Sequence, residues 1–179
     1  MMKEIIFAGF GGQGILTSGL IMINAAMENG DNLTWYPSYG SEMRGGTANC
    51  NVKISKGEIA SPYCKTIDIL FAMNEPAIDK FEKDIKEGGY LFVNSSLVNS
   101  ERTYRNDVNV VKVDATECAS KVKNPKGSNI VMMGAVIKAT EIFKKDVFVK
   151  AMCNYFENKG KGKFNQKNIA AFEIGYDAV

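Results

Sequence analysis

Short apolar runs and stretches with helical spacing take turns along the chain. "EIIFAG" (Glu4–Gly9) is a short run, apolar from Ile5 onward and ending in glycine, the mark of a buried parallel strand. Leu16, Leu20, Ile23 and Met27 then recur at spacings of four, three and four, one face of an amphipathic helix that stops near Asn29 and Gly30. "LTWY" predicts a second strand, ended by Pro37. In "TANCNVKIS", Ala48, Cys50, Val52 and Ile54 alternate with polar residues, which predicts a half-exposed strand. "IDILFAM" (Ile67–Met73) predicts another buried strand, closed by "NEP". Pro76 suits the first turn of a helix carrying Ile78, Phe81 and Ile85, which "EGG" stops. "YLFVN" and "VNVVKVD" predict two more strands, and from Ala115 onward the pattern is helical. "NIVMMGAVIKATEIF", apolar on most sides, predicts a buried helix, and Lys145–Phe156 a further one. Asn165 is a candidate N-cap for the last helix, with Ile169, Phe172 and Tyr176 turned inward.

Strands alternating with helices predict an α/β fold: an open, mostly parallel, Rossmann-like sheet with helices on both faces and a helical C-terminal third. At 179 residues, 45% of them hydrophobic and 23% charged, the chain is expected to form one domain spanning 1–179. The net charge of +2 argues against a nucleic-acid-binding surface. Lys159, Lys161, Lys163 and Lys167, in the Gly-interrupted "NKGKGKFNQK", read as a solvated loop rather than an anion site. No apolar stretch approaches the length of about 20 residues needed to span a bilayer. Early glycines interrupt any signal-peptide pattern, so a cytoplasmic protein with no membrane partner is expected. Cys50, Cys64, Cys118 and Cys153 lack a C-x-x-C or any clustered spacing, which predicts free thiols and neither a metal site nor an iron–sulfur centre. The chain has no histidine, which removes His-based nucleophilic and general-base machinery. No catalytic residue is expected in it.

Gly9, Gly11 and Gly14 spell G-x-G-x-x-G between the first strand and the first helix. Such glycines allow a tight turn and close approach of the main chain to a phosphate, and the free amides of the helix's first turn attract an anion. A nicotinamide dinucleotide also requires an Asp or Glu at the end of the second strand to hold the ribose. Here that place holds Thr34, Trp35, Tyr36 and Pro37, and Asp31 precedes the strand. The NAD(P) reading is therefore disfavoured. Three readings stay open: a tight turn and nothing more, a pocket for another phosphate-bearing ligand, or a contact with a partner's backbone. Gln13 is expected at the mouth of the loop, together with Gly12, with its amide able to donate and accept.

"YGSEMRGG" (Tyr39–Gly46) is the most distinctive string. If the two strands run parallel, their following loops open on one edge, and the two glycine segments face one cleft. Arg44 is a candidate fork for phosphate or carboxylate, held by Glu42. Gly40, Gly45 and Gly46 leave the backbone bare, and Tyr39 and Tyr36 offer rings for stacking. A local Glu42–Arg44 pair in a loop docked on another chain is the competing reading. Asn74 and Asn94, at later strand ends, are candidates for the same edge, with capping and turn roles as the alternative.

Together "GFGGQG", "PSYGSEMRGGTANC", "DILFAMNEP", "GGYLFVNSS" and "SNIVMMGA" resemble the gamma subunit of 2-oxoacid:ferredoxin oxidoreductases. The resemblance runs from Glu4 to Asn168, Ala171 and Gly175 in the last helix. "PSYGSEMRGGTAN" is more similar to 2-oxoglutarate and branched-chain 2-oxoacid types than to pyruvate types. The resemblance implies a multi-subunit complex that turns a 2-oxoacid, coenzyme A and oxidised ferredoxin into acyl-CoA, carbon dioxide and reduced ferredoxin. It implies alpha and beta partner subunits, with a ferredoxin-like delta subunit as a further candidate. Thiamine diphosphate and iron–sulfur clusters would belong to those partners, and this chain would not be active alone. It also implies a share in coenzyme A binding, for which Gly11, Gly12, Gln13 and Gly14 are candidate phosphate contacts and Arg44 a charged one. A purely structural role in assembly is the alternative; a stand-alone nucleotide-binding protein is a weaker one.

Overall fold

The computed structural model describes residues 2–39 and 47–179, apart from the side chain of Tyr39. Six strands form one mixed sheet: β1 (Lys3–Phe10), β2 (Asn32–Tyr39), β3 (Thr47–Ser55), β4 (Ile67–Ala72), β5 (Ile85–Asn94) and β6 (Asn109–Val113), in the order β2-β3-β1-β4-β5-β6. β1, β4, β5 and β6 run parallel, as the alternation with helices predicts. β3 lies antiparallel between β1 and β2, which the chain order alone does not reveal.

Every residue of β4 is buried, because side chains leave a sheet on both faces and both faces are covered. On one face Phe7, Phe71 and Phe92 pack beneath α1 (Ile15–Glu28), α4 (Ser128–Thr140), α5 (Lys145–Asn158) and α6 (Asn165–Tyr176), which bring Met22, Met132, Phe148 and Phe172. The other face holds Ile6, Leu70 and Leu91 under the short α2 (Glu75–Phe81) and the segments carrying Cys64, Val98 and Tyr104. α3 (Ala115–Lys121) completes the first layer. α4 and α6 touch backbone to backbone: a Cβ at Gly134 would overlap the Phe172 carbonyl, and one at Gly175 the Val131 carbonyl.

Several boundaries differ from the sequence expectation, each for a local reason. β2 continues through Pro37 to Tyr39, and proline is tolerated there because β2 is an edge strand. β3 is buried on nearly its whole length rather than half exposed. The crossover after it folds back over its polar side: Glu4 pairs with Lys53 at 3.0 Å and accepts from the Lys65 (2.6 Å) and Thr66 (3.2 Å) amides, and the Cys64 N–H donates to Asn51 Oδ1 at 3.0 Å. α2 ends at Phe81, so Ile85 and "EGG" belong to β5, where Gly88 takes a φ of 71°. Asn165 opens α6 from inside the helix rather than capping it, and the buried side is Asn168, Ala171, Phe172 and Gly175, with Ile169 and Tyr176 only partly covered.

Candidate functional site

The loop Gly11–Gly14 leaves the end of β1 and delivers the chain into α1 through Gly12 (φ 93°) and Gly14 (φ 74°), both in the left-handed region that favours glycine. Among the described residues no side chain caps α1. The Ser18 N–H returns to the Gly14 carbonyl at 2.9 Å. Among the described residues no acceptor meets the N–H groups of Gly12, Gly14, Leu16 or Thr17, all on partly or fully exposed residues. These are the orphan donors of a helix start, with the dipole behind them.

Gln13 does not face the mouth of the loop, contrary to the sequence expectation. Its Oε1 accepts from the Phe10 N–H (2.6 Å) and from Asn74 Nδ2 (3.0 Å), and its Nε2 donates to the Met73 carbonyl at 3.3 Å. Its own N–H donates to the Phe10 carbonyl at 3.2 Å. Gln13 therefore braces the loop across the ends of β1 and β4. Gly9 makes room for this brace, since a Cβ there would come within 2.6 Å of Gln13 Oε1. Asn74 combines two duties: its Oδ1 caps α2 through the Ala77 N–H (3.0 Å), and its amide nitrogen holds Gln13.

The loop has a second brace that sequence reasoning missed. Asn129, buried at the start of α4, donates from Nδ2 to the Gly14 carbonyl (3.2 Å) and to Ser18 Oγ (3.1 Å). The available signal was a lone amide in "SNIVMMGA", an otherwise apolar helix opening. A Cβ at Gly14 would meet Asn129 Nδ2 at 2.6 Å, so glycine here answers both a backbone angle and a close neighbour.

Asn94 is not brought to this loop. It is fully buried at the end of β5, donates to Thr116 Oγ1 at 3.2 Å, and its Oδ1 meets no donor among the described residues. Tyr36 leans on Tyr63, ring centroids 4.7 Å apart, on the edge strand. Gly40, Glu42, Arg44, Gly45 and Gly46, with the Tyr39 side chain, lie outside the described residues. The described ends of that segment are informative: Ala48 pairs with both Tyr39 and Gly9, and Thr47 with Phe10. Tyr39 and Thr47, the described residues on either side of 40–46, therefore stand at the end of the sheet where the glycine loop begins.

The thiols lie elsewhere and are held neutral. Burial pushes Cys50, under α1, up to about 12, and burial with the Glu4 charge does the same for Cys64. Cys64 Sγ donates to the Ile5 (3.7 Å) and Val52 (3.8 Å) carbonyls. Among the described residues no three Cys, Asp or Glu side chains gather as metal ligands. Among them, too, no helix is long and apolar enough to cross a membrane.

The family model for pyruvate ferredoxin/flavodoxin oxidoreductase matches residues 4–178. The chain is 38% identical to the 2-oxoglutarate synthase subunit KorC of Methanocaldococcus jannaschii, over 100% of the chain and 95% of that protein. It is 35% identical to the ketoisovalerate oxidoreductase subunit VorA of Methanothermobacter marburgensis, over 97% of the chain but 36% of VorA. Among solved structures, the gamma subunit of a keto/oxoacid ferredoxin oxidoreductase from Geobacter sulfurreducens superposes with a TM-score of 0.82 at 31% identity, over 98% of this chain and 97% of that one. The 2-oxoglutarate:ferredoxin oxidoreductase of Magnetococcus marinus, solved with 2-oxoglutarate, coenzyme A and succinyl-CoA bound, shares the fold at a TM-score of 0.87 and 23% identity, over 99% of this chain and 31% of that one.

Proposed function

Because the chain belongs to the pyruvate ferredoxin/flavodoxin oxidoreductase family, we propose that it is the gamma subunit of a cytoplasmic 2-oxoacid:ferredoxin oxidoreductase of the 2-oxoglutarate or branched-chain type. In this reading the complex joins the chain to alpha and beta subunits, with a ferredoxin-like delta subunit where the enzyme has one. Together they convert a 2-oxoacid and coenzyme A to acyl-CoA and carbon dioxide while reducing ferredoxin. Iron–sulfur clusters do not fit this chain's own donors: its thiols are scattered, and two of them are pushed up to about 12 by burial; thiamine diphosphate is assigned to the partners by the family reading alone. Those groups belong to the partners.

The chain's share is to hold coenzyme A at the C-terminal edge of β1. The supporting observation is that the amides of Gly12, Gly14, Leu16 and Thr17 meet no acceptor among the described residues, near Tyr39 and Thr47 at the same end of the sheet. A phosphate of coenzyme A accepts from those amides; the guanidinium of Arg44, a neighbour in sequence to Tyr39 and Gly46, supplies a charged contact. Gln13, Asn74 and Asn129 hold the loop rather than touch the ligand. The absence of an acidic residue at the end of β2 suits a ribose that carries a 3′-phosphate, which a carboxylate would repel.

The test is a coenzyme A titration of the assembled complex carrying Arg44→Ala. Loss of one charge-assisted contact, about 1.5–3 kcal/mol, raises the KM for coenzyme A at least tenfold. The coenzyme-independent decarboxylation of the 2-oxoacid stays at its original rate. An unchanged KM removes Arg44 from the site. The purely structural reading draws on the internal braces of the loop. It expects substitutions there to lower the yield of complex while the complex that forms keeps normal kinetics.

A further inference from the structure

Two lysine-bearing turns far apart in sequence meet on one side of the C-terminal helices. Asn124, between α3 and α4, donates from Nδ2 to the Lys167 carbonyl (3.3 Å) and to Asn168 Oδ1 (3.1 Å) in the first turn of α6. The contact brings the turn of Lys123 and Lys126 to Lys167, whose preceding segment carries Lys159, Lys161 and Lys163, and all six are exposed. Among the described residues none of the six has a carboxylate within ion-pair distance, whereas the adjacent Lys121 pairs with Glu117 at 2.9 Å. Glu157, the acid in the second turn, is engaged by Asn165 Nδ2 at 3.0 Å.

The arrangement opposes helix stability. Neither α4 nor α6 has an acidic residue in its first turn, yet Lys126 precedes α4 while Lys163 and Lys167 flank the start of α6. Cations at helix N-termini repel the dipole, and like charges at i and i+4 repel each other. Lys123 adds a non-glycine residue at φ 55°. Folding alone does not account for these placements. Phe164, 43% exposed, stands among the lysines as an apolar anchor.

We propose that the surface formed by the α3–α4 and α5–α6 turns docks a carboxylate-rich patch on another protein. A compact acidic protein surface fits better than a nucleic acid. Outside the six lysines the chain has 16 cationic against 20 acidic side chains, from totals of 22 and 20. A polyanion running beyond the patch would meet repulsion at its flanks. This inference does not depend on the coenzyme A reading, since the two surfaces use different residues.

The protein purified from its own cells at low ionic strength is treated with an acetylating reagent, and each lysine's rate is compared with that in the isolated full chain. Lys123, Lys126, Lys163 and Lys167 are expected to react about tenfold more slowly in the native preparation, the factor that 1.4 kcal/mol of protection produces. Lys80 and Lys83, exposed elsewhere, react equally in both. Carbodiimide joins the protected lysines to Asp or Glu of another polypeptide, and K163Q/K167Q, melting no lower than the unaltered chain, removes the protection at Lys123 and Lys126. Equal rates at all six lysines overturn the proposal. So does protection that nuclease treatment abolishes, which would assign the surface to nucleic acid.

Discussion

At the crossing of α4 and α6, Gly134 lies against the Phe172 carbonyl and Gly175 against that of Val131, with no space for a methyl group. In the loop after β1, a Cβ at Gly12 would meet no atom of the described residues within 4 Å. The first pair serves close packing, and its cost of change is steric and unavoidable. The loop glycine serves a backbone angle and, in the proposed coenzyme A site, access from outside. Glycine alone, seen in a sequence, does not say which; the neighbouring atoms do.

The contrast sets an order of effects. Gly175→Ala forces helices apart across the larger core and is expected to cost about 3 kcal/mol or more, the upper range for overpacking. Chemical denaturation of the purified chain measures it; a loss below about 1 kcal/mol would mean that the crossing yields easily. Asn129→Leu removes the donor to Gly14 and Ser18 and is expected to cost about 1–3 kcal/mol. It should also raise the KM for coenzyme A in the complex, because Gly14 then loses its tie to α4. A fall in stability with an unchanged KM would class Asn129 with the packing residues.

Gly12→Ala is expected to lower stability by only about 1–2 kcal/mol, the strain of a left-handed alanine. Its effect on coenzyme A affinity should exceed its effect on folding, the reverse of Gly175→Ala. Equal effects would erase the distinction between the two regions. The last effect is absent near neutral pH and confined to alkaline solution. Folding raises the Cys50 and Cys64 thiols to about 12, above their value in the unfolded chain. The native state then keeps protons that the unfolded chain releases, so this contribution is whole below about pH 8.5 and drains away as pH climbs toward 12. A denaturation series in reductant should show Cys50→Ala losing less stability than the unaltered chain between those limits.

The apolar run Ile67–Met73 announced β4, and the spacing of Leu16, Leu20, Ile23 and Met27 announced that α1 is a helix but not which face it buries: the buried side is Ile15, Ser18, Ile21, Met22, Ala25 and Ala26, and Met27 is 62% exposed. The burial of Lys53 was not readable, since it arises from its pair with Glu4, which also holds the Lys65 and Thr66 amides of a crossover some sixty positions away. The glycine loop was readable from its place between strand and helix. The inward turn of Gln13 was not: it depends on Met73 and Asn74, which only the parallel pairing of β1 with β4 brings near.

The bond between Asn129 and Gly14 spans 115 positions of the chain. During synthesis the first strand and helix emerge long before α4 exists, and domains form from the N-terminus as the ribosome proceeds. The loop thus waits for its far-off fastening until more than two-thirds of the polypeptide has been made. A product that terminates before α4, however well its early strands pair, leaves the Gly14 carbonyl without this clasp and the loop without its second fastening.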